Sequence, residues 1–594
     1  MATDEAEKPP KVGLALSGGG FRAAFFHVGV LARLAETGVL PKVEVISTVS
    51  GGSIVGAAYY LLLKRRLETN PDGELSRHGY QEIVGDLEYR LRTAVQKNIR
   101  GRVFNNLWKN WVMALSPRYS RSDRIGDLYD RFLYKPAWGV ERERKWRGLG
   151  PQRQIELSEL LIEPHGQPDF DPKRDNWERE EKVPVLLINA TSLNSGHNWR
   201  FEAICMGESL PEDPEHAEVV EEVDKNMRLE RGYFADPEKL QDPDKWPVPE
   251  KQRDFPLGLA VAASAAVPGV FQPLAISKMY EGIRVQLVDG GVQDNQGVQG
   301  LFDNDCTHLV ISDASGQMDD QPRPGAHLPA VLARSASIGR DRVRDEQLID
   351  SFEWPYEDQA LMHLRTGLPV DVVLPGTSFE DAEQEPDAAY DTSDFGVART
   401  VQRALSKVRT DLDYFSDTEA FSLELDAYRM TAFEIEEGAL APLVADDAPE
   451  PDPAQWPFGG ERLQQEIASG AGPTVRKLRA GKAKLFRFTR LRPLLAILVG
   501  LLLLAALGAA AIAWLDSIRE LLREVLDESV PLWTALAALA LAALLAAGYA
   551  KEPRWLPLKV ATEIPLVVLR LIGALPLFVW SQLSVRAARH LYGS

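Results

Sequence analysis

The sequence predicts an α/β fold: a mostly parallel sheet sandwiched by helices, carrying a large insertion and followed by a C-terminal helical transmembrane hairpin. Three observations carry this. An apolar β-branched run, Val43–Val49, stops at Ser50-Gly51-Gly52 and passes without a loop into a helical run that reaches Arg66. Before it, a short apolar strand over residues 11–17 runs through Gly18-Gly19-Gly20 into an Ala-rich, amphipathic helical segment over residues 21–36. Far downstream, residues 494–515 and 530–550 are free of charge, and each is long enough to cross a hydrocarbon core of about 30 Å.

In order, the first 66 residues read strand, glycine loop, helix, strand, sharp turn, helix, the opening of a parallel sheet. A serine at the apex of a strand-to-helix turn is how a nucleophile elbow is written, because the strained turn needs small residues around it. Gly51 and Gly52 supply them, and Ser50, rather than Ser47 or Ser53, sits at the junction. Thr48 stands where the first glycine of G-x-S-x-G belongs. A plain Ser/Gly helix cap after a buried strand is the competing reading. The glycine loop also meets the dinucleotide fingerprint, as Gly18-x-Gly20-x-x-Ala23, but the second strand ends in Ser50 instead of an acid for ribose. The alternatives are an oxyanion hole built from glycine N–H groups and a tight loop without chemistry.

Residues 68–250 are charged and irregular, and read as an insertion with patches of sheet. Residues 98–138 interleave aromatic and basic side chains, which fits a membrane-facing lid and equally fits helices packing by aromatic faces. Residues 183–189 read as a strand returning to the sheet, with residues 198–203 beside it. Residues 207–246 read as an acidic, proline-containing surface loop. Residues 257–273 form a small-residue helix broken at Pro268, and the strand 285–288 runs into Asp289-Gly290-Gly291. The strand 308–312 follows, then a mainly helical stretch to about 438. The expected domains are thus a catalytic body over 1–438, a Pro/acidic linker and basic juxtamembrane start over 439–475, and a membrane region over 476–594. Residues 564–583 are expected to lie in the interface or re-enter.

Charge divides the chain. The formal net charge is −19, yet residues 476–594 carry 16 Lys and Arg against 7 acids, so the first 475 residues hold 51 against 79. An acidic body argues against nucleic acid as a partner and leaves the approach to an anionic bilayer to the basic tail. Eight basic residues precede the first span, which orients the hairpin with both ends cytoplasmic. The first ten residues lack the apolar core of a signal peptide, so an integral membrane protein with its catalytic domain on the cytoplasmic face is expected. Cys205 and Cys306 are the only cysteines, too few for a disulfide framework or a zinc pattern. No cofactor and no metal is expected.

Ser50 needs a base. None of the nine histidines stands at a Gly-flanked strand end, and His27 falls inside the first helix, where a structural role is expected. Asp289 leaves a buried strand directly into Gly-Gly. A buried carboxylate beside a serine hydroxyl can take its proton without an imidazole; a plain Asp-Gly-Gly turn is the alternative.

Taken together, Gly18-Gly19-Gly20-Phe21-Arg22-Ala23, Thr48-Val49-Ser50-Gly51-Gly52 and Asp289-Gly290-Gly291 resemble the patatin-like phospholipases in their oxyanion loop, elbow and catalytic aspartate. The segment Ala263-Ser264-Ala265-Ala266 and the extension to Asp294-Asn295 are similar too. Ala23 and Thr48 depart from that family's glycines, and Ser-Gly-Gly is also similar to the cytosolic calcium-dependent phospholipases. The resemblance implies a patatin-like fold with a Ser50–Asp289 dyad and an oxyanion hole from Gly18, Gly19, Gly20 and Gly51. It also implies Arg22 near a lipid phosphate, although an internal salt bridge competes for that residue. The implied activity is a lipid acyl hydrolase of phospholipase A type acting on membrane phospholipid; the resemblance does not reach the tail, whose two uncharged spans are what would tether the enzyme to the bilayer. A catalytically silent lipid-binding or scaffolding protein and a lipid transacylase remain alternatives.

Overall fold

The computed structural model describes residues 10–104, 120–139, 154–209, 214–235, 245–318, 321–353, 358–364, 395–437 and 440–482. All three expected membrane segments fall outside these residues. Among the described residues, no helix is long and apolar enough to cross a membrane.

The sheet strands are β1 (Val12–Leu16), β2 (Val43–Val49), β3 (Val185–Ser192), β4 (Asn198–Phe201), β5 (Cys205–Glu208), β6 (Gly232–Tyr233), β7 (Trp246–Pro247), β8 (Leu274–Tyr280), β9 (Ile283–Asp289), β10 (His308–Asp313) and β11 (Asp358–His363). Their order is β11-β10-β1-β2-β3-β4-β5-β6-β7, with β9 pairing β3 and β8 off this path. From β11 to β3 all pairs are parallel; β4 and β9 run antiparallel to β3. The parallel strands read as unbroken apolar runs because helices and loops cover both faces. Side chains alternate between the faces at the two-residue period of a strand. Leu14, Leu16, Ile46, Ile188 and Val310 enter the larger core. Ala15, Val45, Leu187, Leu309 and Ile311 enter a smaller one, closed by Val298, Leu301 and Cys306.

The helices that matter to the site are α1 (Gly20–Thr37), α2 (Gly51–Thr69), α3 (Arg77–Val95), α4 (Arg121–Tyr129), α5 (Leu257–Ser264), α6 (Leu328–Glu353), α7 (Asp417–Glu437), α8 (Glu461–Ser469) and α9 (Pro473–Gly481). The first helix is amphipathic in sequence yet buried along its whole length. Its polar groups are met inside the fold. Glu36 accepts hydrogen bonds from the Tyr428 hydroxyl and the Trp456 indole, both at 2.6 Å, and Arg33 donates to Glu36 at 2.9 Å.

This corrects the expected linker. Residues 440–458 close the C-terminal end of α1: Ala445 N–H donates to Thr37 carbonyl at 2.9 Å, Arg33 donates to Pro449 carbonyl at 3.0 Å, and Trp456 stacks on Phe458 at 5.8 Å. Apolar Leu443, Trp456 and Phe458, spaced among the prolines and acids, bury themselves here. Helices α8 and α9 then add Ile467, Val475 and Leu478 to the same core. The body therefore extends to Lys482 as one compact unit.

The insertion is likewise more integrated than its charge suggests. α3 packs on α1, and β3 is a central strand. The acidic loop at 207–246 contributes β5, β6 and β7, with residues 210–213 and 236–244 outside the description. The middle of the aromatic-basic stretch, residues 105–119, is also outside it. On either side, Arg100 pairs with Asp411 and Arg102 lies over the Phe132 ring at 5.3 Å, so the described flanks pack on the body.

Candidate active site

The ends of two strands make the site. Strand β2 pairs with β3 up to Val49 opposite Asn189, and β9 pairs with β3 up to Asp289 opposite Ala190. Because β4 occupies the other edge of β3 at the same residues, β2 and β9 share one edge. One runs parallel to β3 and the other antiparallel, so their C-terminal ends meet head to head. Ser50 follows one end and Asp289 is the other. Two residues 239 positions apart in sequence are thereby brought to one point by register alone.

Ser50 has the elbow backbone, with φ 49° and ψ −109°, a conformation that costs a non-glycine residue about 1–3 kcal/mol and persists only where its surroundings enforce it. A chain of hydroxyls does so. Ser50 N–H donates to Ser264 Oγ at 2.9 Å, Ser264 Oγ shares a hydrogen with Ser53 Oγ at 2.8 Å, Ser53 donates to Thr48 Oγ1 at 3.0 Å, and Thr48 donates to Leu187 carbonyl at 2.8 Å. The departure at Thr48 thus belongs to the elbow's support. Its methyl is accommodated by Gly56 one turn into α2, where an added Cβ would stand 2.6 Å from Thr48 Cγ2. Gly52 is fixed by crowding of a different kind, since a Cβ there would lie 2.0 Å from Leu16 carbonyl oxygen.

Asp289 is buried. Its Oδ1 accepts the Gly291 N–H at 2.8 Å, and its own N–H donates to Ala266 carbonyl at 3.0 Å. Oδ2 is enclosed without a fully formed hydrogen bond, although the Ser50 hydroxyl lies within reach and favours the charged carboxylate. Burial dominates and pushes the pKa up to about 6, against the opposing pull of Gly291, Ser50 and the positive charge of Arg340. Such a group is ionised at neutral pH but basic enough to accept a proton.

The glycine loop divides its labour. Gly18 N–H donates to Asn295 carbonyl at 2.8 Å, so it is spent on structure rather than on an oxyanion. Gly18 instead permits close packing, since a Cβ would meet Asn295 Oδ1 at 2.3 Å and Ser50 Cβ at 3.3 Å. Gly19 and Gly20 have φ of 141° and 59°, open to glycine and unfavourable to other residues. Gly20 leads α1 and Gly51 leads α2, and the two touch: a Cβ on Gly51 would lie 2.2 Å from Gly20 carbonyl oxygen. Two helix N-termini therefore converge beside Ser50, with the N–H groups of Phe21 and Gly52 already spent on the carbonyls of Asp411 and Ser17.

Arg22 does not face this site. It is buried, and all five of its N–H donors go to backbone carbonyls of Ala314, Ser315, Ser406 and Val408. Its donors are spent within the fold, where it pins α1 to two loops. His27 is structural as expected, hydrogen-bonded to Ser312 Oγ at 2.7 Å and Ser17 carbonyl at 3.0 Å, with burial pushing its pKa down to about 4.

Three supporting residues escape motif reading or gain their role only from geometry. Ser264 holds the elbow. Thr191 Oγ1 donates to the carbonyls of Asp289 and Gly290 at 3.1 and 3.3 Å, fixing the aspartate loop. Asp294 Oδ1 accepts from Gln296 and Gly297, and Oδ2 from Gln299, which shapes the return toward Gly18 through Asn295. A cleft of about 470 Å³ opens beside this loop, lined by Leu193, Val292 and Gln293 and roofed by Val343 and Gln347 of α6. Its size is that of a small-ligand site. Its lining includes neither Ser50 nor Asp289, so it borders the chemistry rather than containing it.

Three solved structures align broadly at low identity. Human GIVD cytosolic phospholipase A2, in complex with methyl gamma-linolenyl fluorophosphonate and terbium chloride, is 14% identical over 79% of this chain and 61% of its own, with a TM-score of 0.35. VipD from Legionella pneumophila is 13% identical over 72% and 67%, with a TM-score of 0.25. ExoU of Pseudomonas aeruginosa, solved with SpcU, is 14% identical over 80% and 88%, with a TM-score of 0.19. The chain thus spans about three fifths of the length of the human phospholipase, and no curated protein matches it. The patatin-like phospholipase family model, by contrast, matches from within β1 to Phe302 and takes in Ser50, Asp289 and the glycine loop. Residues 14–302, just under half of the chain, match the patatin-like phospholipase family model.

Proposed function

We propose that this chain is a serine lipid acyl hydrolase of the phospholipase or lysophospholipase type, cleaving carboxylic esters of membrane lipids. The observation that carries the reading is the head-to-head meeting of β2 and β9 on one edge of β3, which sets a strained serine against a buried aspartate of raised pKa. Ser50 Oγ attacks the ester carbonyl carbon while Asp289 takes the hydroxyl proton. The N–H groups of Gly19, Gly20 and Gly51 receive the oxyanion, where each well-placed donor is worth about 3 kcal/mol of barrier. Collapse returns the proton from Asp289 to the departing alkoxide and leaves an acyl-Ser50 ester. Water, deprotonated by Asp289, then releases the fatty acid.

In this reading residues 494–515 and 530–550 anchor the enzyme, and the basic flanks hold the acidic body at the cytoplasmic leaflet. Turnover of a short-chain soluble ester tests the chemistry apart from the anchor. Ser50→Ala and Asp289→Asn should each lower kcat by at least about a thousandfold with native circular dichroism, since dyad partners act as a unit. Full activity in either variant would remove the dyad.

A further inference from the structure

Asp289 faces one side of the sheet, and a tyrosine on that side bears on the second half of the reaction. Leu287 and Val285, two and four residues earlier on β9, enter the larger core, so strand alternation turns Asp289 to the same side. Tyr129, the last residue of α4, is fully buried in that core. Backbone contact with α5 holds α4 there. A Cβ on Gly126 would stand 2.7 Å from Gly258 carbonyl oxygen, and one on Gly258 would stand 2.5 Å from Gly126 carbonyl oxygen. α5 is the helix whose Ser264 holds Ser50 N–H and whose exit supplies Ala266 carbonyl to Asp289. After Tyr129 the chain makes a π-helical turn, Asp130–Tyr134, a form frequent at functional sites. The rings of Tyr129 and Tyr134 lie 6.4 Å apart, and Tyr134 hydroxyl reaches Ile54 carbonyl, in the first turn of α2, at 3.5 Å. Tyr129 thus belongs to the layer that covers both the elbow and the aspartate.

Tyr129 Oη and Asp289 Oδ2 are both enclosed without a formed hydrogen bond among the described residues. Buried polar atoms left in this way call for an explanation. The two groups are close enough to act on each other, because the carboxylate charge adds to burial in raising the phenol's pKa and keeping it protonated. Tyr59 and Tyr80 also bury unpartnered hydroxyls, but Tyr59 answers to Tyr80, and Tyr80 to Glu181, Arg179 and Asp72, none of them a residue of the site.

Once Ser50 is acylated its oxygen carries no hydrogen, and Asp289 Oδ2 accepts one from the next nucleophile. Water brings two O–H groups. One donates to Oδ2 and the other to Tyr129 Oη, which leaves an oxygen lone pair for the acyl carbon. An alcohol brings a single O–H and cannot serve both acceptors. We propose that the Tyr129 hydroxyl positions the hydrolytic water of the deacylation step and so biases the acyl-enzyme toward hydrolysis over transfer to an alcohol. This rests on the reading of Ser50 and Asp289 as an acyl hydrolase. One water proton passes to Asp289 while the water oxygen bonds to the acyl carbon. Collapse breaks the bond to Ser50 Oγ, which takes that proton back, and the released acid keeps the second hydrogen.

The experiment compares the full chain carrying Tyr129→Phe with the native chain on a short-chain p-nitrophenyl ester, with methanol at a fixed low concentration as the competing acceptor. Nitrophenol release follows acylation, and the ratio of methyl ester to free acid reports how the acyl-enzyme divides. In Tyr129→Phe, steady-state kcat should fall at least about tenfold after a burst of about one nitrophenol per chain. The ratio of methyl ester to acid should rise at least about fivefold. Loss of a buried hydroxyl without a partner should not lower the melting temperature. The ratio belongs to each acyl-enzyme, so it does not depend on how much of the chain is folded. An unchanged ratio overturns the proposal, as does a fall in kcat whose burst shrinks in step, which places the effect in acylation. Ester turnover by the native chain that is lost in Ser50→Ala reports separately on the site. Its absence discards the hydrolase reading, whereas Ser50-dependent turnover with an unchanged ratio discards the role of Tyr129 alone.

Discussion

Asp289 holds two roles in tension. With a folded pKa of about 6, it is protonated in mild acid and ionised at neutral pH. In the proposed mechanism only the ionised form accepts the Ser50 proton, so kcat/KM on a soluble ester should fall tenfold per pH unit below about pH 6 and level off above it. A limb centred nearer 4 would mean the aspartate is not buried in the working enzyme. Stability runs the other way. The unfolded chain gives up this proton near pH 4 and the folded chain near 6, so stability present in acid is lost as pH rises between them, by about 3 kcal/mol in all. Asp289→Asn should therefore abolish turnover yet melt no lower than the native chain at about pH 7.5, which calorimetry would check. The placement of Ser50 and Asp289 at strand ends was legible in the sequence because each strand is followed by glycines, a purely local pattern. Arg22 was not. The carbonyls of Ser406 and Val408 that consume its guanidinium lie 384 and 386 residues downstream, and nothing near Arg22 announces them.

The elbow is the element in which local and distant requirements coincide. Sequence pattern places a strand, a serine and a helix, but it also raises a doubt at Thr48 that only packing resolves. The threonine methyl and the absence of a side chain at Gly56 are two halves of one fit. Gly56→Ala should destabilise the body by about 1–3 kcal/mol, the usual cost of overpacking, despite alanine's better helix propensity. Thr48→Ser removes the methyl and keeps the hydroxyl on Leu187 carbonyl, so it should rescue Gly56→Ala in a double-mutant cycle with a coupling of about 1–2 kcal/mol. Additive effects in denaturant melts would contradict the pairing. Other elements were less readable for identifiable reasons. α1 reads as amphipathic because Arg33 and Glu36 look like a solvent face, while in the fold Tyr428 and Trp456 satisfy Glu36 in the interior. Strands β8 and β11 are short and carry polar residues within their apolar runs, Ser277-Lys278 in one and Asp358-Gln359 in the other, so their period was masked.

For the whole molecule, composition misplaced one boundary. The Pro- and Asp-rich stretch after residue 438 has the make-up of a linker, yet Leu443, Trp456 and Phe458 are enough to fold it onto α1, and α8 and α9 extend the core to Lys482. A chain ending at Lys482 should thus hydrolyse a soluble ester at close to the full-length rate while losing most of its rate on bilayer phospholipid. A chain ending at Gly460 uncovers the core against which Ile467, Val475 and Leu478 pack, and strips Gly481 carbonyl from buried Arg409. It should melt several degrees lower or aggregate. Equal behaviour of the two truncations would show that α8 and α9 are dispensable.

The central claim is that Ser50 is a nucleophile activated by Asp289, and active-site-directed phosphonylation tests it most directly. The full chain is treated with a fluorophosphonate at about pH 7.5 and the adduct is located by peptide mass spectrometry. The account predicts one modified residue, Ser50, with no label in Ser50→Ala and labelling slowed at least about a hundredfold in Asp289→Asn. Label on another serine, or undiminished labelling of Ser50 without the aspartate, would contradict it.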